Sequence, residues 1–461
     1  MARPPGNSQR ELIPRSTYPR IPIDPNHRLV RLADLLDWTL LLEEIEQLRR
    51  SKLGPAGRRP HLRALVGATI FMAVQKMTYR QAEDLIRHYG PARYLCGLTE
   101  TDWTPDFTTL QDFAALIGED GMRLINEHVV RLAATEGLVD TSLAVADMTA
   151  QAAAIPYPNE MGLMSRFFGS LGRACKRSGG ALKRFWHRVS GKTVKQAKRK
   201  IRKHRLLART EEMRKHLTGE VAEAVKQVQR GLGKVLESAS RVAGQLHGAA
   251  KSALAKACEL HETMGKLLPQ IRSWLATGRV APGKIVSLHM PQVTAIVRGK
   301  AGKKVEFGWR WGVLRLGGGF VLGRASTTRA EMSDARFAVE AVEMQRQVLG
   351  QVPERYAYDR GGWSETSVKA LRELGVKHVG LAPRGRARWA VDGKQREQLF
   401  RERAKVEGSI GAVKSSRYMF NRPAARSVAA MKFCGQRSLV GFNLNKLVRE
   451  IAARDGWVLT G

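Results

Sequence analysis

The chain has 461 residues, and its 78 Lys and Arg outnumber 42 Asp and Glu to give a formal net charge of +36. A surplus of that size resists compaction unless a polyanion neutralises it, so nucleic acid is the expected partner, with a protein that only coats nucleic acid as the plain alternative. The length suits about two to four domains, and 43% hydrophobic residues exclude a mostly disordered basic tail protein.

Residues 1–27 are rich in Pro and Arg and read as a flexible basic tail. Leu29 to Leu53 has helical apolar spacing with an acidic patch, and the Gly- and Pro-containing stretch 54–60 reads as a loop. His61 to Gln75 is a mostly apolar helix, and Thr78 caps the next one. Beyond Trp103 and Pro105, helices start at Thr108 and at Gly121, the latter running to Glu136. The spacing therefore predicts an all-helical N-terminal domain over 28–138. Its short helices suit helix-turn-helix DNA readers and a plain bundle equally.

Val139 to Asp147 reads as a buried strand, after which Ala154 to Pro158 breaks regular structure. Ser165 to about Arg279 turns helical and strongly basic. Lys198, Arg199, Lys200, Arg202 and Lys203 lie in the densest run, 192–209. A solvated helix face is the ordinary reading of a charge run. Here cations surround most of the helix with few acids to pair them, which favours phosphate binding. Glu220 to Trp274 has long helical periodicity, interrupted only at Gly231 to Gly233. Residues 159–282 thus read as a basic helical insertion, shaped as a hairpin or coiled-coil-like arm.

Strand character returns at Lys284. Ile285 to His289, Val293 to Val297 and Val305 to Leu316 are expected strands, with a Gly317 to Gly319 turn returning through Phe320 to Gly323. Ser326 to Leu349 follows as a helix capped by Thr327 or Thr328. Arg355 to Tyr358 is a strand ending in Asp359, Ser364 to Leu374 a helix closed by Gly375, and Val376 to Leu381 a strand. A basic loop at 383–388 leads into a helix over Lys394 to Tyr418, and Ala424 to Ala453 is helical and apolar enough to pack on the core.

Three acids stand out. Asp147 and Asp359 close apolar strand segments, and Glu407 lies on the late basic helix. At about 100° per residue, Phe400, Arg403, Glu407 and Lys414 share one side of that helix. Two strand-end aspartates and a helix glutamate form the pattern of a two-metal phosphoryl-transfer site, because hard cations such as Mg²⁺ take carboxylate oxygen. Gly408 and Gly411 would weaken the helix by about 1 kcal/mol each while letting it approach a neighbour closely. Each acid also has an ordinary reading. Asp359 before Arg360-Gly361-Gly362 can be a turn residue, Asp147 a cap, and Glu407 the ion-pair partner of Arg403 at i−4. The competing carboxylates are Asp140, Asp392, Glu397, Glu402 and Glu306.

The four cysteines are far apart and form no CxxC or Cys/His cluster, so neither zinc nor disulfides are expected. The histidines make no catalytic or metal-ligand set, and Gly317 to Gly319 lacks a following Lys-Ser or Lys-Thr and is no P-loop. The apolar run Ala64 to Val74 is too short to span a bilayer and the N-terminus has no apolar signal core. No membrane association is expected, and the protein reads as soluble and cytoplasmic.

The chain resembles bacterial insertion-sequence transposases of the DDE type. Their glutamate motif is Tyr, two residues, Arg, three residues, Glu, six residues, Lys; here Phe400, Arg403, Glu407 and Lys414 keep that spacing, with Phe in place of Tyr. Asp359-Arg360-Gly361-Gly362-Trp363 is similar to their second motif and Asp147-Met148-Thr149 to their first. Arg298-Gly299-Lys300 and Val305 to Gly308 are similar to their strand region. Met77 to Arg80 and Thr108 to Leu110 look like the N-terminal domain usual in the IS-five-like group. The resemblance implies an α+β fold: an RNase H-like mixed sheet flanked by helices over 139–158 and 283–461, with an all-helical, DNA-binding N-terminal domain and a long basic helical insertion. It further implies Mg²⁺ or Mn²⁺ held by Asp147, Asp359 and Glu407, and phosphate contacts from Arg403 and Lys414. The implied activity is cleavage and joining of double-stranded DNA at transposon ends, in a synaptic complex built on a homodimer. A DNA-binding relic without activity, an RNase H-like nuclease without strand transfer and a nucleoid protein using the basic arm remain the alternatives.

Overall fold

The structure, a computed structural model, describes residues 23–54, 60–99, 103–241, 244, 246–300, 303–326, 332–383 and 389–461. Most of the expected tail, most of the 54–60 and 383–388 loops, and the expected Thr327 or Thr328 cap lie outside the described residues. The chain divides into two compact units, one of residues 1–117 with 443–461, the other of residues 118–442.

In the first unit the helices are α1 (Arg28–Leu35), α2 (Trp38–Leu53), α3 (Leu62–Val74), α4 (Tyr79–His88), α5 (Gly90–Leu95) and the start of α6 (Phe107–Thr135). The single helix expected over 29–53 is broken in two, because the Asp37 carboxylate accepts from the Leu40 amide at 3.1 Å and caps a new start. Thr78 and Gln81 form a reciprocal capping box on α4. The two helices expected from Thr108 and Gly121 are the halves of α6, which breaks at Gly118 with φ 59° and ψ −153°, a conformation open to glycine. Arg63 is half-buried over the Trp38 ring, 3.1 Å from its centroid, and burial pulls its guanidinium down to about 10.

The second unit contains a mixed six-stranded sheet of described residues: β1 (Leu143–Ala152), β2 (Thr294–Lys300), β3 (Lys303–Leu316), β4 (Val321–Ala325), β5 (Arg355–Tyr358) and β6 (His378–Leu381). The order is β2-β3-β1-β5-β6, with β4 also on β3. β1 runs antiparallel to β3 and parallel to β5, and β5 runs parallel to β6. The remaining helices here are α12 (Asp334–Leu349), α13 (Glu365–Glu373), α14 (Gly393–Val413) and α15 (Val428–Asp455), the last ending among residues of the first unit.

Three strand and helix expectations are corrected. β1 does not stop at Asp147 but continues to Ala152 against β3, because its later polar residues find partners. Gln151 accepts from the Trp311 indole at 2.9 Å and donates to the Met431 carbonyl at 2.8 Å. No strand forms at 285–289, since the Ser287 hydroxyl accepts from the amides of His289 and Met290 and turns the chain. The apolar alternation there serves two cores: Ile285 and Leu288 enter the insertion, Val286 and Met290 the sheet core. The helix expected from Ser326 starts at Asp334, capped by Ser333.

The insertion contains α7 (Glu160–Ser178), α8 (Gly180–Val189), a π-helical turn at Ser190–Val194, α9 (Lys195–Leu207), α10 (Glu211–Ser240) and α11 (Gly248–Thr277). These helices share a core that includes Phe167, Phe168, Leu171, Phe185, Val221 and Leu260. The insertion is therefore a packed bundle, correcting the hairpin or coiled-coil arm. Gly231 and Gly233 do not interrupt α10; their bare backbone admits the Phe185 ring and His261.

Candidate active site

The geometry starts from strand register. Ala144 pairs with Tyr356 and Val145 with Ala357 in parallel. Two residues further along each strand lie Asp147 and Asp359, which by the period of two fall on the same face as Val145 and Ala357. β5 ends at Tyr358, and the Asp359 carboxylate caps the 3₁₀ turn Arg360–Gly362 by accepting from the Gly361 amide at 2.8 Å. Asp147 accepts from the Met148 amide at 2.7 Å.

α14 covers this face. Leu399, Val406, Ile410 and Val413 form its buried stripe and join Leu143, Val145 and Ala357 in one core. Gly380 on β6 makes room for Leu399, since a Cβ there would run into that side chain. Taking Leu399 as zero at 100° per residue, Arg396, Phe400, Arg403, Glu407 and Lys414 fall on one flank and Glu402 on the other. Glu402 turns to β3, 3.5 Å from Arg315. Lys414 lies at the C-terminal cap and donates to the Thr149 hydroxyl at 3.0 Å and the Ala150 carbonyl at 2.8 Å. It thus ties α14 to β1.

Asp147 feels the rest of the group. Burial pushes its carboxyl up to about 6, Met148's amide pulls it down, the Asp359 charge raises it, Arg403 lowers it and Glu407 raises it least. Asp147, Asp359, Arg403 and Glu407 thus stand within electrostatic reach of one another. Glu407 is the outer member, 64% exposed and 3.9 Å from Arg403. Among the described residues no three His, Cys, Asp or Glu side chains converge closely enough to hold one ion. The two neighbouring aspartates fit a divalent cation by chemistry, as paired carboxylates that repel one another. Glu407 as placed is engaged with Arg403.

A cavity of about 280 Å³ opens beside Asp359, lined by Arg360, Trp389, Arg396, Phe400 and Arg403 among others. The Trp389 and Phe400 rings are 5.5 Å apart and Arg396 sits over the Trp389 ring. Rings and guanidinium groups together suit stacked bases and phosphates.

The other acids have structural roles. Asp140 caps Ser142 and pairs with Arg355 at 3.2 Å. Asp392 caps α14 and Glu397 pairs with Arg401. Glu306 lies seven residues along β3 from Val313, the partner of Asp147, or about 23 Å at strand spacing. Asp334, at the start of α12, was not singled out from sequence. Burial and the Asp359 charge raise its pKa, and the Tyr358 hydroxyl lies near it but outside hydrogen-bond geometry. Its sequence signal, an acid after Ser333, is that of an ordinary helix start.

Of the insertion cations, Lys200 pairs with Glu220 at 2.5 Å, while Lys198, Arg199, Arg202 and Lys203 are exposed. Among the described residues no helix is long and apolar enough to cross a membrane. Residues 17–116 are similar to the family described as Transposase domain (DUF772), which supports a transposase family. No curated protein and no solved structure matches the chain.

Proposed function

We propose that the protein is a DDE-type transposase that cleaves and joins double-stranded DNA at insertion-sequence ends by metal-dependent phosphodiester transfer. The observation that carries the reading is the parallel register of β1 and β5, which brings Asp147 and Asp359 to one face under the helix that bears Arg403 and Glu407. The mixed sheet flanked by helices supports an RNase H-like core, and the transposase-domain match over 17–116 supports the substrate.

Asp147 and Asp359 would hold Mg²⁺ or Mn²⁺, with Glu407 joining them once released from Arg403. Two such ions supply an activated hydroxyl and a stabilised leaving oxygen in an in-line displacement. Arg403, already beside the carboxylates, binds the phosphate flanking the scissile bond and keeps its negative charge from being repelled by the acids. Lys414 holds α14 in register with β1 through Thr149 and Ala150, and its ammonium, with three donors, also contacts phosphate. The Trp389, Phe400 and Arg396 cavity orients the strand beside Asp359. Joining two transposon ends calls for a homodimer.

The test is Glu407→Gln on a terminal-repeat substrate with Mg²⁺. DNA affinity should stay within about twofold while cleavage falls by at least about a hundredfold, the scale of losing a positioned catalytic group. Cleavage at the wild-type rate would remove Glu407 from the site. Supplying pre-cut ends with a free 3′-hydroxyl distinguishes a transposase, which joins them to target DNA, from a nuclease, which does not. An inactive relic binds DNA and does neither.

A further inference from the structure

The insertion carries a second charged feature away from the carboxylates. A groove of about 690 Å³ is walled by the end of α7, by α8, the π-helical turn and the start of α9. Its rim holds Lys176, Lys183, Lys195, Lys198, Arg199 and Arg202, with Trp186 in the floor. No acid lines it. All six cations are exposed and none forms an ion pair with a described residue. Several cations elsewhere on the insertion are paired: Lys215 with Glu211, Lys256 with Glu259, Lys266 with Glu262, Arg272 with Glu223.

The sequence lays this out. On α9, Val194 at its entry, Ala197 and Ile201 are buried, which turns Lys195, Lys198, Arg199 and Arg202, at i, i+3, i+4 and i+7, to one exposed stripe. Lys200 falls on the far side and goes to Glu220, whose carboxylate also feels Lys203. The stripe rises about 10 Å along the helix axis. Each strand of a duplex carries one phosphate for about every 3.4 Å of helix axis, so that length laid along the axis passes roughly three phosphates of one strand. Exposed cations spaced over a helix suit an extended polyanion; a small anion would need a closed pocket of polar groups.

We infer that this groove is a binding site for the sugar–phosphate backbone of duplex DNA, with Lys183, Lys195, Lys198 and Arg202 as its principal contacts and Lys200 not among them. The choice of duplex DNA rests on the proposed transposase reading. The groove acts without metal and without Asp147, Asp359 or Glu407, so it contributes affinity along the DNA and no chemistry.

The experiment uses the full chain and a random-sequence DNA duplex in EDTA, so that no cleavage is needed. Affinity is measured against salt for the wild type, for K183Q/K195Q/K198Q/R202Q, and for K215Q/K256Q/K266Q/R272Q, which loses the same charge from paired sites. The groove variant should lose at least about tenfold in affinity, and its log–log salt slope should shrink by about 3 to 4, while the control changes its slope by less than about 1. In parallel, lysine acetylation of the wild type should show Lys183, Lys195 and Lys198 protected by DNA and Lys256 and Lys266 unprotected; this readout stands even if the groove variant folds poorly. Equal losses in both variants, an unchanged slope in the groove variant, absent protection, or a preference for duplex RNA would each overturn the site. Because catalysis is read separately through Glu407→Gln with metal, the groove can fail while the transposase reading holds, and the reverse.

Discussion

At Asp147 the fold holds a carboxyl in a place that favours its neutral form. Its folded pKa of about 6 lies above the ordinary 3.8, so the folded chain retains the proton where the unfolded chain has released it. Stability therefore falls as pH rises from about 4 through about 6 and is level above that, for a cost of about 3 kcal/mol. Asp147→Asn should raise metal-free thermal stability at pH 8 and leave it nearly unchanged at pH 4; equal melting shifts at both pH values would place the cost elsewhere. The same sign makes cation affinity rise with pH through about 6, because a neutral carboxyl does not bind Mg²⁺. Asp147 and Asp359 were legible in the sequence as acids at the ends of apolar runs. The continuation of β1 beyond Asp147 was not, because the polar Thr149 and Gln151 find their partners far along the chain, Lys414 for Thr149 and Trp311 and Met431 for Gln151. Asp334 was illegible for the opposite reason: its proximity to Asp359 comes from a helix on another part of the chain.

On α14 the 3.6-residue period made the Phe400, Arg403, Glu407 and Lys414 flank readable before any neighbour was known. The buried stripe beside it decides where that flank points. Leu399→Ala, at the Gly380 contact, should cost about 2–5 kcal/mol in chemical unfolding and lower cleavage in proportion to the α14 that remains seated. A loss below about 1 kcal/mol would mean that other contacts hold the helix. The expectation that Gly408 and Gly411 admit a close neighbour does not hold among the described residues: both face open space. Their effect is then only to loosen the helix on either side of Ser409, next to Glu407. Glu402 lies on the opposite flank, as the helical period gives. It faces a half-buried Arg315, whose partial burial lowers its pKa against the opposing pull of Glu402, a pairing that no local period could reveal.

For the whole molecule, the +36 charge means that screening relieves self-repulsion. Without DNA, the melting temperature should rise as salt is raised from about 0.05 to about 0.3 M. Duplex DNA should raise it further at low salt and lose that effect as salt increases. A melting temperature independent of both would show that the surplus charge is not what the fold works against. The insertion tolerates so many cations because its stability is supplied by its own apolar core, leaving the outer stripe of α9 free for charge.

Composition, the 3.6-residue and two-residue periods, and cap residues are properties of short stretches, and they determined the surplus of positive charge, most helices and all six described strands with shifted ends. Parallel strand register, the shape of the insertion and the partners of Glu402, Lys200 and Lys414 depend on residues tens to hundreds of positions apart. They were decided only when burial of the shared cores brought those distant segments together.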